Sequence, residues 1–406
     1  MHRISVPRFL GLLLLTLAPL RSAEQDALSI DANIRARHMP YGTILNPILS
    51  ADRTSVVSYT RCGDSAIWTG HYLAAEAFRY QATHSADALA NARAALDGLI
   101  MLTDVTGVDV PARCALPADS PYAASIASEE SANGVHQTVR DGQPWLWIGN
   151  TSRDQYSGVF FGLGAAFDMV PDAAMRADIA SLATRLLDRL LDKAWNVVLP
   201  DGTISTTFLL RPDQQLTLLQ VGRHVNPQRF SSLYSKAASS LAFSVPVPLG
   251  VDAADDHDSY FKFNLDFINL YNLIRLQGGG LTKFWYEIGF GAVRSATDNH
   301  RNAHFNMIDR ALHGPSAGRD AETREVLDQW LERPRTDVWV DVSGRYPECG
   351  DPPRACHPIA IVDRPPSDFL WQLDPFQLSG GGMGIIETAG IDYILPYWMA
   401  RYYGVE

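Results

Sequence analysis

The pattern that most constrains this chain is a pairing of two unlike helices. The stretch GDSAIWTGHYLAAEAF, residues 63–78, carries Asp64, Trp68 and His71 near its start and is otherwise small or apolar on every side. A helix without a wet face is buried all round. The next segment, DALANARAALDGLIML, is amphipathic in the ordinary way, with Leu89, Ala92, Leu96 and Leu99 on one stripe and Asn91, Arg93 and Asp97 elsewhere. The alternation recurs. SRDQYSGVFFGLGAAFDMV (152–170) is polar only at its start, and in 171–195 Ile179, Leu182, Leu186 and Leu190 face in while Arg185, Asp188, Arg189 and Asp192 face out. Further helices are expected near 213–224 and 227–243, 256–276 and 280–298, 301–313 and 320–333, and 391–403. Residues 104–151 read as a long irregular stretch and 334–390 as a Pro- and Gly-rich connection. Buried helices alternating with half-buried ones predict an all-α fold, an (α/α)6 toroid of helical hairpins forming a single domain over residues 24–406. The alternative is an irregular solenoid, which no fixed sequence period supports.

Residues 1–23 read as a secretory signal peptide, with Arg3 and Arg8 ahead of an apolar run from Phe9 to Leu20 that is too short to span a membrane. No later segment reaches 18 uninterrupted apolar residues, so no transmembrane segment is expected in the mature chain. A formal charge of −11 argues against nucleic acid as a partner. The four cysteines, Cys62, Cys114, Cys349 and Cys356, suit two disulfides in a secreted or periplasmic protein. The simplest pairing joins Cys349 to Cys356 across a turn-rich loop, leaving Cys62 with Cys114; two other connectivities stay open.

In a ring of inner helices the N-termini collect at one mouth, where free N–H groups and a partial positive charge face any ligand. Polar residues in those first turns are the site candidates. Asp64, Trp68 and His71 share one helix face; Asp64 is either an N-cap or a catalytic carboxylate, and Trp68 either core or a stacking platform for a sugar. Asp154 lies beside Arg153 and Tyr156. Ser152 or Thr151 can cap that helix, which frees Asp154 for chemistry. The run DDHDSYF, Asp255 to Phe261, brings His257, Asp258 and Tyr260 to a further helix start, either as acid–base groups or as a solvated capping run. His300 and His304 are spaced i, i+4, but no third ligand is evident and no metal or other cofactor is expected. Trp147, in GQPWLWIGN, adds aromatic surface.

GDSAIWTGHYLAAEAF, SRDQYSGVFFGLGAAFD and LPYWMARYYG together resemble secreted bacterial α/α-toroid proteins of the six-hairpin glycosidase type. That resemblance implies a carbohydrate substrate and a pair of carboxylates as general acid and base, carried over here only as Asp64 and Asp154; Asp258, from the run at 255–261, stands in reserve. Toroidal polysaccharide lyases are similar as well. Their Asn-His pair and Tyr find their nearest matches in Asn299-His300, or in the variant Asp256-His257, with Tyr260 or Tyr156. The expected function is therefore glycoside hydrolysis, with uronate elimination or non-catalytic glycan binding as alternatives.

Overall fold

A computed structural model of the chain describes residues 23–254, 259–349 and 356–406. In chain order these residues form α1 (Ala23–Asn33), β1 (Asn46–Leu49), β2 (Val56–Thr60), α2 (Ser65–Thr83), α3 (Ala86–Asp104), β3 (Cys114–Pro117) and α4 (Ala123–Glu129). There follow β4 (Val135–Arg140), β5 (Gln143–Ile148), α5 (Arg153–Met169), α6 (Ala173–Asp192), β6 (Asn196–Val198), β7 (Ile204–Thr207), α7 (Pro212–Val225) and α8 (Pro227–Leu241). The remainder comprises α9 (Pro246–Ala254), α10 (Phe261–Arg275), α11 (Gly280–Thr297), α12 (Ala303–His313), α13 (Ala317–Leu331), β8 (Thr336–Asp341), β9 (Ser379–Glu387) and α14 (Ile391–Tyr402).

The protein is mixed α/β and not an all-α toroid. Three antiparallel sheets, ordered β2-β1-β9-β8, β3-β5-β4 and β6-β7, account for the difference. Strands β3, β4, β5, β8 and β9 lie in the two stretches read as irregular, and β1, β2, β6 and β7 in connections outside the expected helices; all but β9 are six residues or shorter. In β9, SGGGMGIIE, the glycines are required by close approach: Gly381 has φ +117°, and a Cβ there would lie 2.3 Å from the carbonyl oxygen of Val338 on β8. The β4–β5 hairpin turns through Asp141 (φ 51°) and Gly142 (φ 77°), the two left-handed residues that a type I′ turn needs. Residues 256–276 also differ from the single long helix expected: α9 ends at Ala254, α10 starts at Phe261, and residues 255–258 lie outside the described residues.

The helical pairs themselves are present. Helices α2, α5, α7, α10 and α12 each pack on the helix that follows them, and α2 contacts both α5 and α14. Helix α2 is buried continuously from Ser65 to Arg79, whereas α6 buries only a stripe that includes Ile179, Leu182, Leu186 and Leu190. Among the described helices the α2–α5 crossing is the most intimate. A Cβ on Gly70 would stand 2.0 Å from the carbonyl oxygen of Gly158, and one on Gly162 would stand 2.4 Å from that of Gly70. Only glycine allows the two backbones to meet this way, and the crossing carries the starts of both helices to one place.

Both disulfides form, Cys62 with Cys114 and Cys349 with Cys356. The first closes a sequence separation of 52 residues around a small separate core that includes Leu45, Tyr59, Ile126 and Ile148. Replacing both Cys62 and Cys114 by serine is expected to cost about 4 kcal/mol through the freed unfolded chain, read as a lower urea midpoint under non-reducing conditions. Among the described residues no single helix is long and apolar enough to cross a membrane.

Candidate functional site

Asp64 ends a 3-10 turn, Cys62–Asp64, that leads into α2; the residue before that turn, Arg61, is left-handed (φ 62°). Although Asp64 occupies the N-cap position, its side chain makes no capping hydrogen bond. Asp154 is the second residue of α5. The cap of that helix is a box in which the Gln155 side-chain oxygen accepts the Ser152 backbone N–H at 2.8 Å, so Asp154 is spare there too. Neither carboxyl is consumed in terminating its helix.

Arg113 stands beside both acids. Its Nη1 lies 4.0 Å from Asp64 Oδ1 and donates to the Gly63 carbonyl at 2.8 Å, while its Nε donates to the Asn150 carbonyl at 2.8 Å. The disulfide explains this placement, because Arg113 precedes Cys114 and Asp64 follows Cys62 by two residues. Glu130 closes the other side, accepting the Gly63 N–H at 2.7 Å. Burial raises the Asp64 carboxyl above the ordinary 3.8, against the pull of Arg113, and the charges of Asp154 and Glu130 push it further up. Burial likewise raises Asp154, opposed by Arg113, Arg153 and the Ser152 hydroxyl. Two carboxyls displaced upward beside one guanidinium are the kind of pair whose environments suit proton exchange with a substrate.

One turn deeper, Trp68 is not an open platform. Phe369 meets it edge-on at 4.9 Å between centroids, and Trp371, fully buried, lies 6.1 Å away. The covering turn is tied to the mouth by Arg61 Nη1, 2.5 Å from Asp368 Oδ1. His71 is a core imidazole. Its Nδ1–H donates to the Ile67 carbonyl at 2.9 Å, which leaves Nε2 to accept from Asn264 Nδ2 at 3.3 Å. Burial lowers its pKa to about 4. His304, 4.9 Å from Trp371 between ring centroids, is held neutral by burial as well.

A histidine buried neutral binds fewer protons folded than unfolded below its ordinary pKa of 6.5. His71 and His304 therefore contribute their full stability above pH 6.5, and it falls away as pH drops from 6.5 toward 4. Buried carboxyls held high, Glu76 and Asp266 among them, act in the opposite sense, so the readout is a difference: the change in urea midpoint from pH 7 to pH 5 should be less destabilising in His71→Asn than in wild type.

The other candidates are dispersed. Arg153 donates to the Thr207 carbonyl at 3.1 Å and so joins α5 to β7. Tyr156 is buried edge-on to Phe208, with centroids 5.5 Å apart. Trp147 is stacked on His136 at 4.1 Å. Tyr260 and His300, 5.5 Å apart between ring centroids, belong to another cluster, where Arg364 Nη2 donates to the His300 carbonyl at 2.8 Å. His257 and Asp258 lie outside the described residues. No group of three His, Cys, Asp or Glu side chains among the described residues is placed to hold a metal ion.

Sequence reasoning missed Arg113, Glu130, Asp368, Trp371 and Asn264. Only Arg113 had a signal, since pairing Cys62 with Cys114 brings it against Asp64. No protein-family model, curated protein or solved structure matches this chain. What fold and site define together is a mixed α/β protein, cross-linked as suits an oxidising compartment, with a half-buried acid pair between two helix starts. The chemistry of that pair follows from its own residues.

Proposed function

We propose that this protein is a hydrolase of glycosidic bonds in an oligo- or polysaccharide, with Asp64 as general acid and Asp154 as its carboxylate partner. The observation that carries this reading is the pairing of two acids, each spare at its helix start and each raised by burial, around Arg113. Asp64 takes the acid role because Asp154 and Glu130 both disfavour its charge. Two arginines favour the charge of each acid, Arg113 and Arg61 at Asp64 and Arg113 and Arg153 at Asp154, and Asp154 takes the ionised role because the Ser152 hydroxyl favours its charge as well. Asp64 then protonates the departing glycosidic oxygen as that bond breaks, and the anomeric carbon is taken either by a water that gives its proton to Asp154 or by Asp154 itself, water then hydrolysing the glycosyl ester. The opening 23 residues are proposed to direct export, in keeping with the two disulfides.

The test is digestion of a glycan panel by the mature chain, read as new reducing ends and as ultraviolet absorbance. Reducing ends without absorbance are expected. Absorbance from a new double bond would instead indicate uronate elimination, and silence on every glycan would remove the hydrolase reading.

A further inference from the structure

Gly63 is held at both ends of its backbone by side chains from three separate segments. Its N–H donates to Glu130 Oε1 at 2.7 Å. Its carbonyl, which belongs to the peptide leading into Asp64, accepts from Arg113 Nη1 at 2.8 Å and from Gln155 Nε2 at 3.3 Å. The Asp64 side chain makes no capping bond of its own, so its place follows from this backbone and from what holds it.

Gln155 differs from the other two holders. It is part of α5, directly after Asp154, and its Oε1 accepts the Ser152 N–H and the Ser152 hydroxyl, each at 2.8 Å. One planar amide is thus fixed at its oxygen end to the start of α5 and at its nitrogen end to the approach of α2. The partners decide which end is which, because an N–H needs an acceptor and a carbonyl needs a donor. The side chain is wholly buried, so no water competes for these bonds and their loss leaves buried backbone groups without a partner. Closing a helix start in this way needs only the oxygen end. The nitrogen end does nothing for α5 and bonds the residue before the other acid. Gln155 also carries no charge, unlike Arg113 and Glu130. Another neutral side chain in its place leaves the charges around the two acids unchanged, so any effect on them reports position.

We infer that Gln155 is a positioning residue, a strut that sets Asp64 against Asp154 across the two helix starts. The inference rests on reading those two carboxyls as the working pair. Its test is the titration of the Asp64 carboxyl carbon, followed by NMR in the mature chain with and without Asp154→Asn and assigned by its loss in Asp64→Asn. In the wild-type background Asp154→Asn removes a negative charge that raises Asp64, so the Asp64 midpoint should fall. Gln155→Met removes the amide. Gln155→Asn keeps an amide but is one methylene too short to hold both ends. In each of these backgrounds the fall caused by Asp154→Asn should shrink at least about twofold as the carboxyls move apart. A loss of stability alone does not change the coupling of two groups in molecules that are folded, and if one variant fails to fold the other decides. No fall in the wild-type background, or an undiminished fall in a folded Gln155 variant, overturns the inference. No substrate enters the measurement, so the two failures are distinct. Silence on every glycan removes the hydrolase reading, whereas undiminished coupling removes the strut even from a protein that cleaves glycans.

Discussion

Gly70→Ala is expected to lower stability by at least about 3 kcal/mol, at or beyond the upper end for overpacking a core. The added Cβ would stand 2.0 Å from the Gly158 carbonyl oxygen and 2.9 Å from the Val159 nitrogen. Both obstacles are backbone, so no rotamer change relieves them and the helices must separate. Gly158→Ala meets the same crossing from the other side, 2.6 Å from the Ile67 Cα. The two changes share one contact, so their combined effect should fall short of the sum of the single effects. Gly291→Ala is the control. It is a glycine of α11 whose added Cβ would meet nothing within 4 Å, so alanine should raise stability there by up to about 1 kcal/mol. Urea unfolding of wild type and the variants checks the ranking. Wild-type stability in Gly70→Ala would mean that α2 and α5 do not cross this closely.

Asp154→Asn is expected to reduce glycan cleavage by at least about a hundredfold, within the range for removal of an acid–base group. Asp64→Asn should fall by a similar factor on ordinary glycosides, but the two variants separate on aryl glycosides with acidic leaving groups. A leaving group that departs without protonation does not need Asp64, so Asp64→Asn should recover there while Asp154→Asn stays low. The pH–rate profile gives a second signature. Because burial raises both carboxyls above 3.8, both limbs of the wild-type curve should lie above that value. Arg113→Gln removes the cation that lowers both acids, and should move both limbs further up. Equal loss on activated and ordinary substrates in the two variants would refute the division of roles.

The parts of this protein that were legible in the sequence are those whose cause is local. Helical periodicity placed the α2–α3 and α5–α6 pairs because the 3.6-residue repeat is written along a single segment. Asp154 is separable from the capping role because Thr151 and Ser152, either able to cap, stand just before it in the chain. The Asp141-Gly142 turn is local as well, but it lies inside 104–151, a stretch whose composition reads only as irregular. The four-stranded sheet was not legible at all. Its register pairs Ile48 with Ile386, and nothing near either residue encodes the other.

The site divides along the same line. Sequence alone determined that Asp64 and Asp154 begin apolar helices, and that cysteines flank Asp64 and Arg113. Only the tertiary structure decided that Gly70 and Gly158 bring the two starts together, that Arg113 stands beside both acids, and that Trp371 covers Trp68 and His71. Helix starts and caps follow from hydrogen bonds within a few residues, whereas the proton affinity of a carboxyl depends on burial and on charges that arrive from distant parts of the chain.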